Sequence, residues 1–368
     1  MNRRIALFLP SLNGGGAERV AIFVGRYLER HGYAVDLVAA NGVGALADDP
    51  FVQAHLVDLG CRAELLALRR WTSYLRRVRP DAVISLVHTA NFLSGIGAWL
   101  VPDVPVIVAV HNTLIKQPAH QWWVRRFFGF GPERYLYRRA ALIQTVSQAL
   151  ADQAHELFAI PRDKLVNTYN SVELPPRDQP VSPADRTEIE HQGRYIVSVG
   201  RLIPIKGFDL LIAAFVKAQI PSDFRLVILG DGPERAPLQA QIDAAGMRDR
   251  ILLAGFRDPV APWLRSAKGF VLATHGEGFG LVVLEALLAG IPVAAARVPG
   301  VVEVMDDGRM GRLFDAGDLS AVTRAVEDIA SGALPPPRAD ALASHAAKFE
   351  PDAVGDRYLR MVERVIAR

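Results

Sequence analysis

The segment that most constrains the fold of this chain is HGEGFG, residues 275–280, which joins an apolar run to an apolar helical pattern. Residues 269–274 predict a short buried strand, and residues 281–288 predict a buried helix that stops at a Gly-x-Pro sequence. The order strand, glycine loop, helix, strand is typical of a parallel α/β unit. Glycines let a ligand approach the backbone, and the free N–H groups at a helix start favour an anion. The segment therefore predicts a phosphate-binding site.

Two carboxylates flank this predicted phosphate site. Glu277 lies in the loop and Glu285 in the helix, so both can face one ligand at the helix N-terminus. Carboxylates accept hydrogen bonds from hydroxyl groups, and two of them near a phosphate suggest a sugar nucleotide. The plainer alternative is two solvated surface charges. Glu285, however, lies within an apolar helical pattern, where an ionised side chain needs a partner or a ligand.

A second loop supplies positive charge. Residues 195–199 predict a strand, and the sequence GRLIPIKG follows it directly. Arg201 and Lys206 therefore share one loop, where the arginine offers a bidentate fork and the lysine a point charge. Either residue alone would more often be an exposed surface charge, but the two together suit a diphosphate.

The N-terminal half opens with the same kind of unit. Residues 4–9 predict a buried strand, residues 17–31 a helix and residues 33–39 a second strand, in a parallel βαβ arrangement. Three consecutive glycines, residues 14–16, lie between the first strand and the helix. A plain turn needs only one glycine, so the run favours a loop that faces a ligand at the carboxyl end of the sheet.

The length of 368 residues exceeds what one ordinary core accommodates and predicts two domains. Residues 174–193 are rich in proline and polar residues, which is typical of a linker. We therefore assign residues 1–172 to an N-terminal domain and residues 173–352 to a C-terminal one. Residues 353–368 have apolar positions at helical spacing and predict a terminal helix.

Positive charge is concentrated in the N-terminal half. Residues 1–172 carry 19 Lys and Arg against 13 Asp and Glu, and the remainder carries 23 against 26. Residues 121–139 combine arginines with many aromatic residues. This pattern suits an anionic membrane surface, but a helix with buried aromatic rings and solvated arginines explains it equally well. Nucleic acid is a weaker candidate, because no recognised motif accompanies the charge.

Hydropathy and cysteine content bear on location. No stretch has the length and hydropathy of a membrane span, and the first apolar run ends too soon for a signal peptide. The single cysteine, Cys61, excludes an internal disulfide and fits a reducing compartment. We therefore expect a cytoplasmic protein, with peripheral contact at the inner face of the membrane.

These motifs together resemble the donor site of glycosyltransferase family 4. The pair Glu277 and Glu285 around Gly-Phe-Gly, and the Gly-Arg…Lys-Gly loop, match the family's signature at its usual spacing. The family consists of retaining enzymes of the α/β GT-B fold, in which two Rossmann-like, doubly wound domains face each other across a cleft. The resemblance implies a nucleotide-sugar donor on the C-terminal domain and an acceptor on the N-terminal one, on which the terminal helix often packs.

The resemblance also implies roles for single residues. Glu277 would bind hydroxyls of the transferred sugar and Glu285 the ribose. His111 matches a histidine that contacts the donor sugar, although a lone histidine after a strand is more often structural. Glu303 is a lesser candidate, because Pro299 replaces the first glycine of the family's Gly-Gly-x-x-Glu. The predicted catalytic residues are His111, Arg201, Lys206 and Glu277. The predicted donor-binding residues are Gly15, Gly16, Gly200, Arg201, Lys206, Gly255, Phe256, Glu277, Gly278, Phe279, Gly280, Leu281 and Glu285.

The implied reaction is transfer of a hexosyl or N-acetylhexosaminyl group, with retention, from a nucleotide sugar to a lipid-linked or polysaccharide-precursor acceptor. We expect UDP as the nucleotide and front-face attack as the mechanism, since no carboxylate nucleophile is evident on the acceptor side. We expect neither a cofactor nor a metal, because the aspartate pairs at 48–49 and 306–307 lack a strand-end context and the basic pair supplies the charge.

Three alternatives stay open. A GDP-mannose donor would make the protein a mannosyltransferase. A sugar-nucleotide epimerase or hydrolase on the same two-lobed fold would turn over its substrate without an acceptor. A protein that binds the nucleotide sugar and transfers nothing is the non-enzymatic alternative, and the joint presence of the predicted site residues argues against it.

Overall fold

The computed structural model describes residues 3–13, 15–61, 64–111, 137–172, 174, 176 and 181–367. Its contacts divide the chain into two units, Met1–Ser171 with Pro351–Arg368, and Val172–Glu350. Strands and helices alternate along the sequence of both units. Because a parallel strand pair needs a crossover connection, this alternation produces a parallel sheet in each unit.

The first unit contains a seven-stranded sheet. Its strands are β1 (Arg4–Leu9), β2 (Ala34–Ala39), β3 (Leu56–Asp58), β4 (Ala82–Ser85), β5 (Val106–Val110), β6 (Leu142–Thr145) and β7 (Leu165–Asn167). The described helices among them are α1 (Gly16–Arg30), α2 (Pro50–His55), α3 (Leu68–Val78), α4 (His88–Leu100) and α5 (Gln148–Phe158). The strand order is β3-β2-β1-β4-β5-β6-β7, and every described pairing is parallel.

The second unit contains a six-stranded sheet. Its strands are β8 (Arg194–Val199), β9 (Phe224–Leu229), β10 (Ile251–Gly255), β11 (Gly269–Leu272), β12 (Val293–Ala296) and β13 (Arg312–Phe314). Its helices are α6 (Pro183–Gln192), α7 (Phe208–Lys217), α8 (Arg235–Ala244), α9 (Ala261–Ser266), α10 (Leu281–Leu288), α11 (Pro299–Val304), α12 (Leu319–Ser331) and α13 (Ala339–Ala346). The order β10-β9-β8-β11-β12-β13 is that of a doubly wound sheet, which grows outward from β8 in both directions.

The last helix, α14 (Pro351–Ile366), belongs to the first unit. Its apolar face, including Val354, Tyr358 and Met361, joins the core formed by β1 and α1. Burial of these side chains stabilises the unit by about 1.5–3 kcal/mol for each large residue. On β1, the Phe8 ring stacks on Trp71 of α3 with 4.1 Å between ring centroids.

The structure confirms the prediction of two doubly wound α/β domains, and it corrects local predictions. The apolar pattern of residues 165–172 predicts a strand, but β7 ends at Asn167, and Tyr169 adopts a left-handed conformation with φ of 63°. The predicted linker contains α6, whose Ser182 caps the helix by accepting the Asp185 N–H. The sequence also gave no indication of α2, β3 or β13.

Two predictions concern membrane contact. Most of the arginine- and aromatic-rich segment at 121–139 lies outside the described residues. Across the part of the chain that the structure describes, no helix combines the length and hydropathy needed to cross a bilayer.

Candidate functional site

The candidate site lies where the strand order of the second sheet reverses. β8 and β11 are neighbours at the centre of the sheet, and the chain continues outward on either side of them. In open α/β sheets the loops that follow two such strands run in opposite directions, and ligands bind in the crevice between these loops. Residues 200–207 follow β8 and residues 273–280 follow β11, so both predicted donor loops meet at this point.

Hydrogen bonds join the two loops directly. The His275 N–H donates to the Ile205 carbonyl at 2.7 Å. The Thr274 hydroxyl oxygen lies 3.0 Å from the same carbonyl and accepts the Gly276 N–H at 3.2 Å. The Thr274 side chain is fully buried, so its hydroxyl is held between the loops rather than solvated. The position of one loop therefore determines the position of the other.

Lys206 and Glu277 form an ion pair across these loops, although 71 positions separate them in the sequence. The pair joins Lys206 Nζ to Glu277 Oε1, and the two side chains are only 19% and 13% exposed. Gly207 permits this approach: it has a φ of 64°, and a Cβ there would come within 2.1 Å of the Ala273 carbonyl oxygen. Partly desolvated charges of opposite sign suit a ligand that carries both anionic oxygens and hydroxyl groups.

The glycines of the loop shape the start of α10. Gly280 precedes the helix with a φ of 94°, and Leu281 is the first helical residue. Because α10 follows β11, its N-terminus lies at the carboxyl edge of the sheet, where its free N–H groups and dipole favour an anion. Gly300 packs against this loop, since a Cβ there would come within 2.5 Å of the Gly278 oxygen. After the strand that follows the Gly-x-Pro sequence, the sequence predicts a loop containing Gly300 and Glu303. Both residues instead lie in α11, which begins with Pro299.

The remaining predicted donor residues lie at the same edge of the sheet. Gly200 follows β8, and a Cβ there would lie 3.7 Å from Cδ of Lys206, so that side chain passes close to it. Arg201 is exposed in the same loop. Gly255 ends β10 with a φ of 78°, and the following Phe256 is 66% exposed. Glu285 is partly exposed in the second turn of α10.

Phe279 and Thr274 differ from what the sequence suggests. Phe279 was predicted to bind the donor, but its ring is 2% exposed and packs on Phe349, so its backbone alone is available to a ligand. The sequence carries no signal for that contact. Thr274 was not singled out, although a threonine just before a glycine loop commonly bonds the backbone two residues on.

In the first unit, the glycine loop lies at the start of α1. Gly15 and Gly16 are exposed there, and Gly14 lies outside the described residues. The Glu18 carboxylate lies beside Gly15, since a Cβ on that glycine would come within 2.5 Å of Glu18 Oε2. Burial raises the pKa of Glu18. The sequence did not single out this carboxyl group, which lies next to a loop predicted to face a ligand.

His111 follows β5 at the carboxyl edge of the first sheet. Its Nε2 is buried and has no hydrogen-bond partner among the residues that the structure describes. Burial lowers the pKa of His111 to about 4, so the ring is neutral at neutral pH. A neutral imidazole nitrogen can donate a hydrogen bond to a ligand hydroxyl or accept one from it.

Two family models match the sequence. The model described as Glycosyltransferase Family 4 matches residues 14–174, and the model described as Glycosyl transferases group 1 matches residues 193–331. Together they cover about four fifths of the chain. The chain belongs to glycosyltransferase family 4. The resemblance read from the sequence motifs is therefore confirmed.

Individual relatives match part of this family 4 chain. It is 34% identical over 169 residues to the lipopolysaccharide core biosynthesis glycosyltransferase LpsE of Rhizobium meliloti (strain 1021), across 45% of this chain and 49% of that protein. It is 26% identical over 225 residues to N-acetyl-alpha-D-glucosaminyl L-malate synthase of Bacillus anthracis, across 60% of this chain and 56% of that protein. The chain thus spans about half the length of these curated relatives.

A solved structure matches both units. Anabaena Alr3699/HepE, in complex with UDP and glucose, has a TM-score of 0.76 and 21% identity over 99% of this chain and 100% of its own. At this level of identity the likeness establishes the fold alone. Together with the two parallel sheets, it confirms the GT-B fold.

Proposed function

We propose that this protein is a retaining glycosyltransferase that moves a hexosyl or N-acetylhexosaminyl group from a UDP sugar to a lipid-linked or saccharide acceptor. The observation that carries the proposal is the Lys206–Glu277 ion pair at the point where the strand order reverses. A cation for phosphate and a carboxylate for hydroxyls lie in contact there, at the N-terminal end of α10.

The diphosphate leaving group is stabilised by fixed positive charge. As the bond from the anomeric carbon to the diphosphate breaks, negative charge grows on the β-phosphate oxygens. Lys206, Arg201 and the N–H groups that begin α10 are the groups we assign to that charge. Removal of one such donor lowers the rate by about a hundredfold to a thousandfold.

The sugars are held by acceptors of hydrogen bonds. We assign hydroxyls of the transferred sugar to Glu277 and to the buried Nε2 of His111, and the ribose hydroxyls to Glu285. Gly255 and Phe256 supply the neighbourhood of the nucleotide base. The neutral state of His111 supports its role, since a neutral imidazole both donates and accepts hydrogen bonds.

We propose that the reaction proceeds by front-face attack and that Arg201 and Lys206 take the place of a divalent cation. The aspartate pairs have structural partners that support this. Asp49 caps α2 and pairs with Arg26, while Asp306 pairs with Arg309 and Asp307 with Arg297. Turnover that survives EDTA is the expected result. Trapping of a glycosyl-enzyme intermediate would contradict front-face attack.

The acceptor is proposed to be a cell-surface saccharide precursor reached at the inner face of the cytoplasmic membrane. The match to a lipopolysaccharide core biosynthesis glycosyltransferase supports such an acceptor. The exposed face of α3 carries Arg69, Arg76 and Arg77, and α3 contains no acidic residue. Leu66 and Trp99, in neighbouring segments, are 72% and 60% exposed. Arginine and exposed apolar side chains suit an anionic bilayer surface.

Nucleotide binding and donor turnover test the proposal. Calorimetric titration with UDP, GDP and ADP should give binding to UDP. Donor consumption from UDP sugars should then require a membrane lipid extract or a saccharide acceptor. Preference for GDP would indicate a GDP-mannose-dependent mannosyltransferase, and acceptor-independent turnover an epimerase or hydrolase. Nucleotide binding without any turnover would indicate a binding protein, and the absence of all nucleotide binding would refute the proposed function.

A further inference from the structure

An aromatic cluster includes one residue of the glycine loop and two residues from the end of the second unit. It consists of Phe279, Phe349 and His345, which are 2%, 1% and 8% exposed. The Phe279 and Phe349 rings meet edge to face with centroids 5.3 Å apart, and the Phe349 and His345 rings do so at 5.4 Å. Phe349 ends a short 3₁₀ turn that follows α13, and His345 lies in α13 itself. Phe349 and His345 therefore come from a part of the chain to which the sequence assigns no functional role.

His345 links this aromatic cluster to the other element that contacts the loop. Burial lowers the pKa of His345, so its ring is neutral. Because a carbonyl only accepts, Nε2 carries the proton and donates to the Val304 carbonyl at 2.8 Å. Val304 ends α11, and the same helix carries Gly300 against the Gly278 carbonyl. His345 thus contacts both the Phe349 ring, which packs on Phe279, and α11, which packs on Gly278.

We propose that His345 and Phe349 are positioning residues that hold the Gly278–Gly280 backbone in the conformation that receives the donor diphosphate. Glycine alternates with larger residues through this segment, so its backbone has few restraints of its own. Phe279 lies between two of these glycines, and fixing its ring orients the peptide groups on both sides. This inference rests on the proposed function, because the diphosphate is the ligand that those N–H groups serve.

The test compares two disruptive variants, a conservative one and a matched control. Phe349→Leu removes the edge-to-face contacts, and His345→Leu removes the hydrogen bond to the Val304 carbonyl. His345→Gln keeps an N–H group near the position of Nε2. The control is Phe224→Leu, an equally buried phenylalanine of the same unit at the amino end of β9, the opposite edge of the sheet.

Two measurements on the full chain separate positioning from simple destabilisation. The first is UDP affinity by calorimetric titration, well below each variant's Tm. The second is amide hydrogen exchange of residues 276–281 without ligand. Both disruptive variants should weaken UDP binding by roughly tenfold to a hundredfold, the order expected for loss of one charge-assisted hydrogen bond to phosphate. Both should also accelerate exchange in this loop. His345→Gln should remain close to the wild type, and the control should lower Tm while leaving both measurements unchanged.

Several outcomes overturn the proposal. Unchanged UDP affinity and loop exchange in Phe349→Leu would do so, and His345→Leu gives the same test if Phe349→Leu does not fold. An equal loss of affinity in Phe224→Leu would attribute the effect to stability alone. If the wild type binds neither UDP, GDP nor ADP, the proposed function fails and the positioning role fails with it. Wild-type binding with unaffected variants refutes the positioning role alone.

Discussion

Removal of either partner of the Lys206–Glu277 ion pair should destabilise the second unit. Lys206→Gln leaves a carboxylate that is 13% exposed without its cation, and Glu277→Gln leaves an ammonium group that is 19% exposed. Loss of one partner of such a pair costs about 1–3 kcal/mol of unfolding free energy. The double variant should be about 1–2 kcal/mol more stable than the sum of the single effects predicts. Urea unfolding of the four proteins measures this coupling.

The same Lys206→Gln variant should lose donor binding and catalysis by more than its stability explains. A charge-assisted hydrogen bond to phosphate contributes about 1.5–3 kcal/mol, so UDP affinity should fall by roughly tenfold to a hundredfold. The value of kcat/KM with the UDP sugar should fall by about a hundredfold to a thousandfold, since charge grows on the diphosphate in the transition state. Titration and steady-state rates give both quantities. If the two substitutions are coupled in stability but Lys206→Gln binds UDP within twofold of the wild type, the ion pair has a structural role only. That result would refute this reasoning.

Three further substitutions probe separate parts of the site. Thr274→Val, which removes the hydroxyl between the two loops, should weaken UDP binding by about tenfold, whereas Thr274→Ser should not; equal titration curves would contradict this. Glu285→Gln should weaken donor binding with little change in Tm, and unaltered affinity would remove its assignment to the ribose. His111 has a pKa lowered to about 4 in the folded state, so the unfolded chain binds more protons between that value and about 6.5. The contribution of neutral His111 to the free energy of unfolding should therefore be fully present above about pH 6.5 and should fall by about 2 kcal/mol from pH 7 to pH 5. Urea unfolding measures this change, and His111→Gln should abolish it.

Much of the fold follows from the spacing of apolar residues. Short apolar runs next to helical patterns predicted β1, β2, β8 and β11, because a parallel strand buried on both faces consists mostly of apolar residues. The wrong predictions concern segments where helix caps or backbone conformation, rather than residue composition, determine the structure. The prolines of residues 174–193 predicted a linker. Ser182, however, caps α6, and Pro183 is the proline of its first turn. Tyr169 ends β7 early through a backbone conformation that side-chain type does not reveal.

The site was predictable to the extent that topology controls it. Lys206 and Glu277 are far apart in sequence, but each follows a strand, and the carboxyl ends of neighbouring parallel strands share one edge. The supporting contacts were not predictable in this way. Phe349 reaches the glycine loop from a helical region near the end of the second unit, and its partner depends on how α13 packs rather than on any local pattern. The buried state of Thr274 likewise depends on the neighbouring loop.

We expect the Lys206–Glu277 ion pair to influence which ligand the site prefers. Lys206 already neutralises Glu277. When a nucleoside diphosphate alone pairs with Lys206, the Glu277 carboxylate loses its cation and lies next to the negatively charged phosphates. A nucleotide sugar supplies hydroxyls that hydrogen-bond the released carboxylate, which offsets that repulsion. Glu277→Gln should therefore bind UDP at least as tightly as the wild type while its turnover of the UDP sugar falls. Titration of UDP and of the UDP sugar into both proteins measures the difference, and a parallel loss of affinity for both ligands would show that Glu277 does not contact the sugar.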